Sequence, residues 1–149
     1  MSLKFYRLKD PGGFMSNYWK ATFIIYDREW LTVEHAYQAQ KCLDPAEYDA
    51  IHQAVKANDA RLLGQKVKCR KDWDEVKAVV MEGCVRAKFQ QHQDLREQLL
   101  ATGEEELVED SPVDSYWGCG ADGTGKNMLG KILMKIREEL KNGKEAGTV

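Results

Sequence analysis

Apolar residues recur along this chain in two rhythms. Early in the sequence they cluster and are β-branched or aromatic; from residue 33 onward they return every three or four positions. Thr22-Phe23-Ile24-Ile25-Tyr26 reads as a strand. Asp27-Arg28 is a polar turn, and Glu29-Trp30-Leu31 returns as the second strand of a hairpin. Ahead of them, the short apolar start Phe5-Tyr6 is followed by the turn Asp10-Pro11-Gly12-Gly13. A helix follows the hairpin, capped by Thr32, with Val33, Ala36, Tyr37 and Gln40 on one mostly apolar stripe. Asp44-Pro45-Ala46-Glu47 starts a second helix, with a cap, a proline at the first helical position and a glutamate three residues after the cap. Ile51, Ala54 and Val55 form its apolar side. Asn58 caps a short helix through Leu62-Leu63 that stops at Gly64. The longest helical pattern runs from Asp74 to Gln91, with Val76, Val80, Cys84 and Ala87 inward and Phe89 near its end. Leu95, Leu99 and Leu100 mark a further helix ending at Thr102-Gly103, and Leu107 to Asp110 reads as a short strand. A last amphipathic helix spans Asn127 to Lys141, with Leu129, Ile132, Leu133, Ile136 and Leu140 inward. The polar tail from Asn142 to Val149 is expected to fray.

This order predicts a mainly helical α+β fold with a small antiparallel sheet. Strands and helices do not alternate regularly, which argues against a doubly wound sheet. A length of 149 residues suits one domain with a single core, spanning 1–149 and ordered from about residue 5 to 141.

Composition narrows the function. With 43% hydrophobic and 31% charged residues the chain is an ordinary globular one. A formal net charge of -2 argues against a general electrostatic grip on nucleic acid or an anionic membrane, and leaves room for a local basic pocket. No apolar run approaches the roughly 20 residues that span a bilayer, and Met1-Ser2-Leu3-Lys4 opens no signal-peptide core. A cytoplasmic location without membrane attachment is expected. Cys42, Cys69, Cys84 and Cys119 are widely spaced and form no metal motif with His35, His52 or His92, so free thiols, no metal and no cofactor are expected.

Two stretches carry candidate chemistry. On the helix after Thr32, Glu34, Gln38 and Lys41 fall on a second stripe about a quarter-turn from the apolar one. A carboxylate beside an amine suits acid/base or nucleophilic catalysis. The same spacing also fits an ordinary surface helix with a solvated pair. Later, Trp117-Gly118-Cys119-Gly120-Ala121-Asp122-Gly123-Thr124-Gly125-Lys126-Asn127 places four glycines directly before a helix. Such a loop can offer backbone N–H groups and a helix N-terminus to a phosphate. It lacks the Walker pattern, since Asn127 follows Lys126. The alternative is a turn that merely caps the last helix. Trp117 can stack on a base, and Asp114 in the turn Ser111-Pro112-Val113-Asp114 can orient a ribose hydroxyl or serve the turn alone. In Phe14-Met15-Ser16-Asn17-Tyr18, Asn17 offers a donor and an acceptor for a base edge or sugar, and Phe14 offers a stacking ring.

These segments, in this order, resemble the NADAR (YbiA-like) family: Phe14 to Tyr18, Trp30 to Lys41, Ser111-Pro112, Trp117 to Gly123 and Asn127-Met128-Leu129-Gly130. Lys88-Phe89 and Leu99-Leu100-Ala101-Thr102-Gly103 look like its pattern too, so the likeness covers Phe5 to Leu140. The resemblance implies an N-glycosidase that cleaves between a nitrogen base and C1 of a phosphorylated ribose. Members of the family act on ribosylamino-pyrimidine intermediates of riboflavin synthesis, or remove ADP-ribose from modified guanine in nucleic acid. It implies Glu34 and Lys41 in the active site. It also implies a pocket lined by Asn17, Trp117, Asp122 and Asn127. With Phe14, Ser16, Trp30, Gln38, Asp114, Gly118, Gly120 and Gly123 these make the expected substrate-binding set. Where relatives often carry a second aromatic after the histidine this chain has Ala36, and Asp27-Arg28 lacks a common glycine. The expected partners are an ADP-ribosyl or phosphoribosyl substrate and weak, transient nucleic acid. Under the guanine reading, a guanine-ADP-ribosylating toxin is the functional counterpart. A non-catalytic ADP-ribose-binding module is the competing class.

Overall fold

The computed structural model describes residues 1–143; positions 144–149 of the expected frayed tail lie outside the described residues. In chain order the elements are β1 (Ser2–Phe5), a 3-10 turn (Gly13–Met15), β2 (Phe23–Ile25), β3 (Arg28–Trp30), α1 (Val33–Ala39), α2 (Pro45–His52), α3 (Ala57–Gly64), α4 (Trp73–Gln91), α5 (Gln93–Ala101), β4 (Glu106–Glu109) and α6 (Met128–Lys141). The mainly helical α+β reading holds, and β2 pairs with β3 as the expected antiparallel hairpin. A second two-stranded sheet was not foreseen: β1 pairs with β4 in parallel, Leu3 opposite Leu107. That pairing joins residues about a hundred positions apart, which no local pattern encodes. Among the described residues no helix is long and apolar enough to cross a membrane.

The chain divides into two compact units. One is contiguous, Lys20–Lys88; the other combines Met1–Trp19 with the chain from Phe89 onward.

In the contiguous unit the hairpin turns at Tyr26-Asp27, one residue earlier than expected. Both residues take left-handed backbone conformations, φ 55° and 60°, as a two-residue hairpin turn that follows strand twist requires. Neither is glycine, so this turn holds some backbone strain. Trp30 is fully buried; its indole N–H donates to the Ile25 carbonyl at 2.9 Å, and its ring meets Tyr48 and His52 edge-on at 5.6 Å and 4.8 Å. His52 Nε2 donates to the Glu29 carbonyl at 2.8 Å, so α2 pins the hairpin. Asp44 caps α2 through the Ala46 N–H at 2.9 Å, as its sequence signature requires. Asn58 does not cap α3: Lys56 holds that position, and Asn58 Oδ1 accepts from Arg61 Nε at 3.2 Å inside the helix. On α4 the buried stripe is Met81, Cys84, Val85 and Lys88, at i, i+3, i+4 and i+7. Cys84, Ala87 and Phe89 are buried as expected, whereas Val76 and Val80 in the first half of the helix are only half-buried. Trp73 opens α4 against Tyr37, ring centroids 5.1 Å apart.

In the other unit, all five expected inward residues of α6 are buried. α6 lies on β4 closely enough that a Cβ at Gly130 would meet the Leu107 carbonyl and the Asn127 amide. Only glycine permits this approach. Thr102 ends α5: its hydroxyl donates to the Leu99 carbonyl at 2.6 Å and accepts from Arg137 Nη1 at 2.8 Å, tying α5 to α6.

Candidate active site

Glu34 occupies the first turn of α1 and is 7% exposed. One carboxylate oxygen accepts from Gln38 Nε2 at 2.7 Å, one helical turn on. Gln38 Oε1 is buried without a hydrogen-bond partner and lies against Gly64 of α3, in space that a Cβ there would fill. The contact aims the Gln38 amide at Glu34. The neighbouring His35 serves the fold. Its Nε2 donates to the Ala54 carbonyl at 2.9 Å, which leaves Nδ1 to accept from the Thr32 hydroxyl at 2.8 Å. Burial holds its pKa below the ordinary imidazole value, and the ring stays neutral.

The stripe expected to carry Glu34, Gln38 and Lys41 is not one continuous helix. α1 stops at Ala39, and Lys41 sits in the next turn, its N–H on the Gln38 carbonyl at 3.2 Å. The cause is Gln40, whose side-chain Nε2 takes the Ala36 carbonyl at 3.1 Å and also bonds the Tyr48 hydroxyl at 3.1 Å. The turn still keeps Lys41 within electrostatic range of Glu34. Burial lowers the Lys41 pKa below the usual lysine range and Glu34 pulls it partly back. The amine is half-buried.

The glycine loop of the other unit spends several of the backbone donors that a phosphate cradle would use. Two of them turn inward: Gly125 N–H bonds the Cys119 carbonyl at 2.7 Å and Lys126 N–H the Ser115 carbonyl at 2.8 Å. The first N–H groups of α6 are taken as well, Asn127 by Gly118 at 3.0 Å, Met128 by Tyr116 at 2.9 Å and Leu129 by Trp117 at 3.0 Å. A helix N-terminus whose donors are already bonded has little left for an anion. Gly120 and Ala121 instead border an open cavity of about 440 Å³ with Tyr6, Arg7, Asp10, Asp110 and Pro112. Two carboxylates against one guanidinium make it a poor phosphate site.

Several expected substrate contacts have structural duties. Asn127 caps α6 in a left-handed conformation, φ 52°; its Oδ1 accepts from the Glu109 N–H at 3.0 Å and its Nδ2 donates to the Leu107 carbonyl at 2.9 Å. Trp30 is core, as described. Phe14 is buried edge-on against Phe89, 6.3 Å between centroids. Asp114 Oδ1 accepts from the N–H groups of Tyr116 and Trp117 at 2.9 Å and 2.8 Å, an Asx turn. Asp122 Oδ1 accepts from the Thr124 N–H and hydroxyl, which hold its carboxyl below the usual range. Ser16 accepts from the Tyr18 N–H at 3.0 Å. Gly118 is buried, and Gly120 and Gly123 take positive φ. Asn17 and Trp117 are half-buried, with the Trp117 ring edge-on to Tyr116 at 4.7 Å. Replacing Asn127 with alanine strands two backbone groups of β4; the expected cost is roughly 2–4 kcal/mol of stability, read as the urea midpoint. Turnover lost at unchanged stability would return Asn127 to the pocket.

Sequence reasoning named Lys88 only as part of the family pattern and gave it no role. It is 1% exposed on the core stripe of α4, and burial brings its pKa down to about 7. The signal was present: a lysine three and four residues after Val85 and Cys84 interrupts an apolar stripe. No cluster of three or more His, Cys, Asp or Glu suited to a metal occurs among the described residues.

The NADAR domain model matches residues 4–141, and the chain belongs to the NADAR family. It is 47% identical to an N-glycosidase of Nostoc punctiforme, over 95% of this chain and 94% of that protein. It is 41% identical to the N-glycosidase YbiA of Escherichia coli, over 93% and 88%. The NMR structure of YbiA superposes with a TM-score of 0.88 at 40% identity, covering 97% of this chain and 89% of that one. A riboflavin biosynthesis protein of Vibrio vulnificus is 41% identical over 91% of this chain, which matches 38% of that longer protein.

Proposed function

We propose that this protein is an N-glycosidase that removes ADP-ribose from ADP-ribosylated guanine in nucleic acid, with Glu34 and Lys41 as its reacting groups. The observation that carries the chemistry is the pairing itself: a buried carboxylate oriented by Gln38, and a half-buried amine whose charge is disfavoured by burial. Cleavage builds positive charge on C1 and the ring oxygen of ribose, which a nearby carboxylate stabilises. A lysine with a depressed pKa carries more free amine near neutrality and attacks C1 as the C1–N bond breaks. The base leaves with the bonding electrons and takes up a proton. Ring opening then gives a Schiff base on Lys41, and water hydrolyses it to free ADP-ribose and the amine. Glu34 moves the protons. In the competing course Glu34 activates water directly and Lys41 only binds substrate.

No cofactor enters either course. Asn17 and Trp117, both partly exposed, are the proposed base and sugar contacts, and nucleic acid is visited weakly by a chain of net charge -2. The likeness to a riboflavin biosynthesis protein supports a second substrate, a ribosylamino-pyrimidine phosphate. A panel of ADP-ribosylated guanosine in DNA, ribosylamino-pyrimidine phosphate, NAD and ADP-ribosyl protein, each assayed for base release, separates the two. Binding of ADP-ribose with no release from any of them would leave a non-catalytic module. Borohydride added during turnover is expected to trap a ribosyl adduct that maps to residue 41 and vanishes in Lys41→Ala. An adduct on Lys88 would transfer the covalent role there, and full activity of Lys41→Ala would remove it from Lys41.

A further inference from the structure

We propose that Cys42 and Cys69 form a thiol pair built to close into a cross-strand disulfide on exchange with low-molecular-weight disulfides. The two residues face each other in an isolated antiparallel bridge. The Arg70 N–H donates to the Lys41 carbonyl at 2.9 Å. That bond joins the residue after one cysteine to the residue before the other, the arrangement of a non-hydrogen-bonded pair. In such pairs the Cα atoms lie about 4.5 Å apart with side chains on the same face. A disulfide needs Cα atoms roughly 4.4–6.8 Å apart. Both thiols are free, and Cys69 is near enough to help raise the Cys42 thiol.

The other cysteines lack this geometry. Cys84 is buried with a hydrogen bond to Tyr26, and Cys119 donates its thiol to Asp110 at 3.4 Å. Exposure also orders the steps. Cys69 is exposed, whereas Cys42 is half-buried, its thiol pushed up to about 11 by burial and then by Glu47. The Cys69 thiolate attacks one sulfur of the small disulfide and releases one thiol. Cys42 then gives up its proton, attacks the Cys69 sulfur of the mixed disulfide and releases the second thiol. The two protein thiols are oxidised and the small disulfide is reduced to two thiols. The product loops out α2 and α3 and staples the turn that carries Lys41. The step requires no glycosidase activity, so it stands or falls apart from the proposed reaction.

The test equilibrates the native protein in buffers graded from reduced to oxidised glutathione, quenches with an alkylating reagent and maps peptides by mass. The expected product is lighter by two hydrogens, with the peptides holding Cys42 and Cys69 joined. Cys42→Ser is expected to stop at a lasting glutathione adduct on Cys69, and Cys69→Ser to form little adduct at all. Circular dichroism confirms that both variants fold. A wild-type protein that halts at the mixed disulfide, or one that links Cys84 or Cys119 instead, would overturn the proposal. So would a Cys42–Cys69 link that appears only in denaturant.

Discussion

Replacing Glu34 with glutamine is expected to lower the rate of base release by roughly 10²–10⁴-fold, the usual contribution of a positioned acid/base group. The change is nearly isosteric. The amide oxygen at position 34 can still accept from Gln38 Nε2, so α1 keeps its local bonding. What disappears is the negative charge, together with its pull on Lys41, whose pKa Glu34 raises against the effect of burial. Two readouts follow. Single-turnover rates fall while KM stays close to wild type, because the loss lies in the transition state. The rate profile also shifts: without Glu34 the amine deprotonates at lower pH, and any residual activity gains its free-base form earlier. Turnover within tenfold of wild type would remove Glu34 from the chemistry. A collapse in stability would make it a structural carboxylate.

Replacing Lys88 with methionine is expected to flatten the rise of stability with pH above neutrality. The folded-state pKa of Lys88 is about 7, against 10.5 for an ordinary lysine. Between those values the unfolded chain holds a proton that the folded chain lacks, so stability rises with pH there and falls as pH drops toward 7. The slope from one such group approaches about 1.4 kcal/mol per pH unit. Thiols and phenols act in the opposite sense. Burial raises Cys84 and Tyr26 to about 12 and Cys42 to about 11, so they cost stability once their unfolded counterparts ionise. The clean window is therefore about pH 7 to 8.5, below most of that ionisation. Urea midpoints measured across it should climb in wild type and climb less in Lys88→Met. Equal slopes would mean that Lys88 stays protonated in the folded protein.

The sequence made the helices legible because each writes its own signature locally. Asp44-Pro45 with Glu47 marks one start, Thr32 another, and the 129/132/133/136/140 spacing fixes the buried face of α6. What the sequence hid was any feature set by a distant partner. The parallel strand pair depends on residues about a hundred positions apart. Which valines of α4 are buried is set by tertiary packing: Val85 is covered while Val76 and Val80 are only half-buried, and Trp73 packs on Tyr37. The candidate site divides in the same way. Glu34 and Lys41 are neighbours in sequence, so their proximity could be inferred even though the helix ends between them. The glycine loop was not legible, because glycine content looks the same whether backbone donors point outward at a ligand or inward at the chain. Only the observed hydrogen bonds of Gly125 to Leu129 separate the two cases. Asn127 is similar: its place in a motif implied substrate, and its bonds to Leu107 and Glu109 show a stitch between strand and helix.

The division of the chain has a consequence for biogenesis. Residues 20–88 form a contiguous unit, complete once its last residue clears the ribosome. Met1–Trp19, although made before that unit, belongs with residues from 89 onward. β1 has no ladder partner until β4 is synthesised. This earlier segment therefore waits for residues about a hundred positions downstream before its strand can pair, and its ordering is a step exposed to delay.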